Sequence, residues 1–116
     1  MSTLVTQGEA IARDLAGWIG SDPAELSPLL DRFEAFVSDA RTRFEAEPIS
    51  TQVSLWCGMT AAAAKLMALL ITDSIDAETQ DQPEKVNAIN AIGKRLQSAT
   101  LELCEHDPIG RAVRTA

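Results

Sequence analysis

The chain has no tyrosine, one histidine and two cysteines in 116 residues. Such scarcity removes whole classes of chemistry. A catalytic site needs convergent acid, base or nucleophilic groups, and His106 in "CEHDP" has only Cys104, Glu105 and Asp107 beside it. Neighbouring residues on a helix point in different directions, and no second histidine supports a metal site. The same histidine stands just before Asp107 and Pro108, at a helix break, so a phosphohistidine relay is not expected either. Cys57 and Cys104 show neither CxxC nor zinc-site spacing and lie in apolar or helical sequence, so both are expected to be buried free thiols. No enzyme activity, metal or cofactor is expected.

Positive charge is also scarce. Ten basic residues face seventeen acidic ones, for a formal charge of −7. The mean field therefore repels nucleic acid and anionic lipid. The basic clusters are Lys94 with Arg95, Arg41 with Arg43, and Arg111 with Arg114. These are few, and no nucleic acid partner is expected. A basic leader with a continuous apolar run is lacking at the N-terminus, so a cytoplasmic location is the expectation.

Alternating Val, Ile or Thr runs are missing as well, which leaves no strand signal. Proline and glycine instead divide the chain into helical segments. The first runs over about 3–19, with Leu4, Ile11, Leu15 and Trp18 near one face, Gly8 weakening its first turns and Gly20 as its stop. "SDPAE" offers Asp22 as a cap, Pro23 at the first helical position and Glu25 to complete a capping box. A second segment starts with Ser27 as cap and Pro28, carries Leu29, Leu30, Phe33, Phe36, Val37, Ala40 and Phe44 in one stripe, and ends at Pro48. The fourth starts with Asp81 as cap and carries Val86, Ile89, Ile92, Leu96, Ala99 and Leu103. The fold class expected is all-α: an up-down antiparallel four-helix bundle forming a single helical domain over 1–116. A short extra turn near 22–26 and a short C-terminal helix from Asp107 complete it.

The third segment holds "SLWCGMTAAAAKLMALLITDSI". From Val53 to Ile71, fifteen of nineteen residues are apolar. That length reaches across a bilayer. Against a membrane span stand Lys65 near its centre, at about 2.5–3.5 kcal/mol on insertion scales, and four consecutive alanines. The small and polar residues are moreover not scattered. Thr51, Ser54, Gly58, Ala61, Lys65, Ala68 and Thr72 follow gaps of three and four and share one narrow face. The rest of the circumference is apolar, which places this helix at the centre of the core with the other three around it. Two readings of the narrow stripe stay open: a solvent edge with Lys65 keeping its ammonium in water, or a groove that admits another helix.

"DSIDAETQDQPE", residues 73–84, has the length of a calcium loop, but Ile75 and Ala77 occupy ligand places and Glu78 replaces the turn glycine. It reads instead as an acidic corner. Elimination leaves a non-catalytic helical interaction module, presenting the Thr51–Thr72 stripe to a protein partner or to a second copy. The alternative is a small-molecule or metal-binding bundle, with a site between helices lined by Trp56, Cys57, Met59 and Met67.

Overall fold

The computed structural model describes residues 3–18 and 22–110, and four α-helices hold most of them: α1 (Thr3–Gly17), α2 (Leu26–Glu45), α3 (Ile49–Thr79) and α4 (Pro83–Cys104). There is no strand among the described residues. Gly20, expected to stop the first helix, and Arg111 and Arg114 lie outside them.

Local chemistry explains most boundaries. Asp22 accepts a hydrogen bond from the Ala24 N–H at 3.0 Å and Pro23 leads, so residues 23–25 form a short 3-10 turn as expected. That turn runs straight into α2. Ser27 therefore lies inside the helix and does not cap it; its hydroxyl accepts instead from Arg95 Nη1 at 3.1 Å. Asp81 is not a cap either. It adopts the left-handed conformation, φ 56°, while its N–H donates to Glu78 (3.1 Å) and that of Gln82 donates to Ala77 (2.9 Å). This is a Schellman ending for α3, with aspartate where glycine is usual. Near the C-terminus, Asp107 accepts from the Ile109 N–H at 3.0 Å and starts a helical turn over 108–110.

The helices alternate in direction. Arg43 near the end of α2 reaches Gln7 near the start of α1, and Arg32 reaches Asp14, so α1 and α2 are antiparallel. Ser74 pairs with Asn90 and Trp56 with Leu103, so α3 and α4 are antiparallel too. In cross-section α1 packs on α2 and α3, and α4 packs on the same two. The 46–48 connection thus crosses the diagonal of the square, and α2 and α3 sit at opposite corners.

Leu15, Phe33, Phe44, Met59, Leu66 and Leu96 are fully buried where these inner faces meet. Each such side chain contributes about 1.5–3 kcal/mol from apolar burial. The Phe36 and Phe44 rings meet edge to face at 6.2 Å, and the Arg43 guanidinium lies 5.4 Å over Phe36.

The diagonal arrangement corrects one expectation. α3 is not wrapped by three neighbours; it occupies a corner between α1 and α4 and keeps an open side. Its inner stripe is Gln52, Leu55, Met59, Ala62, Ala63, Leu66 and Leu70, whereas Val53, Trp56, Met67 and Leu69 are half-buried. Composition could not separate these sets, because both are apolar.

Candidate functional site

The open side of α3 is the surface with the strongest claim to a function. An α-helix turns through about 100° per residue, so spacings of three and four keep residues on one side. Ser54, Gly58, Ala61, Lys65, Ala68 and Thr72 are all exposed there, and Thr51 is half-buried at one edge. The structure therefore brings the whole expected stripe onto one outward line.

Four further apolar residues share that side: Cys57, Ala64, Ile71 and Ile75, which with Ala68 form a second row beside the first. Ile71 is 54% exposed and Ile75 58% exposed, the bulkiest groups on the face. Sequence periodicity misses the two isoleucines because Ile71 lies in the apolar circumference expected to face the core, and Ile75 lies past its end. The signal available was the continued spacing of four, three and four from Ala64 through Ala68 and Ile71 to Ile75.

Hydroxyl groups do little to make this face polar. Thr72 donates to the Ala68 carbonyl at 3.0 Å and Thr79 to the Ile75 carbonyl at 3.0 Å. Each bond uses up the hydroxyl within the helix. Gly58 has open space where a Cβ would stand, so none of the described residues covers it.

Two open grooves flank the face. One of about 490 Å³ runs between α1 and the start of α3, lined by Val5, Glu9, Ala12, Ser50, Ser54 and Gly58. The other, about 370 Å³, lies between the later part of α3 and α4, with Met67, Ile71, Ile75, Ile89 and Lys94 among its walls. α3 is long and apolar enough to cross a membrane by length and composition, and 33% of its most apolar window is buried inside the bundle.

The alternative lining does not come together as one cavity. Met59 is fully buried in the core, while Cys57 is exposed on the outer side. Trp56 is half-buried, and its indole N–H donates to the Leu103 carbonyl at 2.9 Å, tying α3 to the last turn of α4. Cys104 is exposed as well, so the expectation of two buried thiols is corrected: both lie on the solvent side of their helices.

The other chemistry-bearing groups are dispersed. Among the described residues no three His, Cys, Asp or Glu side chains come together as a metal-ligand set. Asp107 is engaged as a cap, and the His106 N–H donates to the Leu103 carbonyl at 3.0 Å. Residues 73–79 of the acidic stretch stay in α3, so no ligand loop forms. Lys94 is exposed, but Arg95 turns to α2 and bonds Asp31 and Glu34. No protein-family model, curated protein or solved structure matches the chain.

Proposed function

We propose that this chain is a non-catalytic helical interaction module of the cytoplasm, acting by docking the outer face of α3 on a protein surface. The single observation that carries the proposal is the exposure of Ile71 and Ile75 beside a line of small side chains on the longest helix. Scattered exposed apolar residues, such as Leu101 and Ile109, are ordinary. A contiguous row flanked by grooves on both sides marks a place where another surface excludes water. Small residues add to this by letting a second backbone approach closely.

Multi-angle light scattering and a pull-down test the proposal. The expected result is a dimer or a copurifying protein that is lost in Ala61→Trp or Ala68→Trp, with helicity by circular dichroism unchanged. A monomer without any partner, indifferent to both substitutions, overturns it. So does a chain that stays in solution only with detergent.

A further inference from the structure

We propose that the occupant of this face is a second copy of the chain, docked antiparallel so that Lys65 of each copy meets Asp76 of the other. The proposal rests on the reading of the outer α3 face as an interface and names its partner. Between Ser54 and Thr79 the exposed residues on that face carry one cation, Lys65, and two anions, Asp76 along the same edge as Lys65 and Glu78 one turn beyond Ile75 on the opposite edge. Among the described residues neither Lys65 nor Asp76 forms an ion pair. These two stand eleven residues apart (76 minus 65). That separation is three turns plus about 20°, or about 16 Å along one line of the helix.

A face with one positive and one negative end is complementary to its own copy turned round. A parallel pair sets Lys65 on the partner's Lys65. A twofold-related antiparallel pair, with its axis between Leu70 and Ile71, sets Lys65 on the partner's Asp76 and repeats the contact by symmetry. The same register lays Ile71 beside the partner's Ile71 and seats Ile75 between the partner's Ala64 and the partner's Ala68. Charges and apolar groups thus select one orientation together. The exposed ion pairs fix direction and register, while burial of Ile71, Ile75 and the alanines supplies affinity. With one helix from each copy and a net charge of −7 per chain, the pairing is expected to be reversible.

Sedimentation equilibrium on the full chain tests this. Wild type is expected to dimerise, and Lys65→Glu and Asp76→Lys each to weaken the dimer by roughly tenfold or more, since each reverses two symmetry-related pairs. Mixing the two variants is expected to recover a heterodimer, because both contacts then join opposite charges. At one, the introduced glutamate faces the introduced lysine; at the other, the native Lys65 faces the native Asp76. The double variant Lys65→Glu/Asp76→Lys is expected to pair with itself again. Circular dichroism on each variant confirms that the helices persist. A dimer unmoved by either reversal, or singles that stay monomeric when mixed, overturns the antiparallel pair. A monomeric wild type with another protein bound, released by Ala61→Trp, overturns it and leaves the interaction reading standing; a monomeric wild type with no partner removes both.

Discussion

Gly8 of α1 lies so close to Leu55 of α3 that a Cβ at position 8 would overlap Leu55 Cδ1 and stand 3.1 Å from its Cγ. Both residues are buried, and α1 and α3 run in parallel there with the same sense along the bundle. Taken as a helix residue alone, glycine is about 1 kcal/mol worse than alanine. Taken as a packing residue, it is what lets α1 settle against α3.

The two effects predict a change of sign with background. Gly8→Ala gains the propensity term but forces the Leu55 side chain out of its place, at about 1–3 kcal/mol, and is expected to destabilise by up to about 2 kcal/mol. In a Leu55→Ala background the obstacle is gone, and the same substitution is expected to stabilise by about 1 kcal/mol. Among the described residues nothing comes within 4 Å of where a Cβ on Gly93 of α4 would stand. Gly93→Ala is therefore expected to add about 0.5–1 kcal/mol in any background. Urea denaturation of these variants alongside wild type checks all of this, and a stabilising Gly8→Ala in wild type would refute the packing role.

Asp81 predicts a second gain. Its left-handed backbone, φ 56°, ends α3 in a place where a Cβ strains against the following carbonyl. Asp81→Gly relieves that strain, removes one charge from the acidic corner, and gives up some entropy to the unfolded chain. The net expectation is about 0.5–1 kcal/mol of added stability, smaller for Asp81→Asn. Thermal denaturation by circular dichroism reads it; a lowered Tm for Asp81→Gly would mean that the carboxylate holds the turn by a contact stronger than the strain.

How far residues alone could be read depends on what each inference needed. Leu30, Phe33, Val37, Ala40 and Phe44 of α2 all reach the core because a single apolar stripe on a polar helix leaves one solution. α3 has no such contrast. Its Met59 and Ile71 are equally apolar, yet one is fully buried and the other more than half exposed. Which side faces inward follows from the diagonal placement of α3 opposite α2, a tertiary fact that periodicity does not carry. The Thr51–Thr72 stripe was legible because small and polar residues recur on it, whereas Ile75 and Asp76, part of the same surface, were hidden within an acidic stretch that reads as a turn. Ser27 and Asp81 look like caps by local pattern and serve other ends, one as an acceptor for a distant arginine and one as a left-handed stop.

Arg95 joins α4 to α2 through three residues about one turn apart along one side: Ser27, Asp31 and Glu34. Nη1 donates to Ser27 Oγ at 3.1 Å, and Nη2 donates to Asp31 Oδ1 at 2.6 Å and to Glu34 Oε1. The bonds to Glu34 and then Asp31 raise the guanidinium pKa above its ordinary value, against a smaller opposing effect of burial. A raised value means that the guanidinium's contribution is fully present below the ordinary guanidinium range and is lost only as pH climbs through the raised one, so the cation keeps its charge across the neutral and mildly alkaline range. The side chain is 32% exposed, so solvent screens it and each pair contributes little by itself. Shared among three partners, the link is expected to supply about 1–2 kcal/mol, and Arg95→Met, which keeps most of the apolar stem, should lose that amount in urea denaturation at low salt. In molar salt, with a screening length of about 3 Å, the loss should shrink. A loss that does not shrink would assign the role of Arg95 to the packing of its stem, and Arg95→Met combined with Ser27→Ala would then be additive where the network requires it not to be.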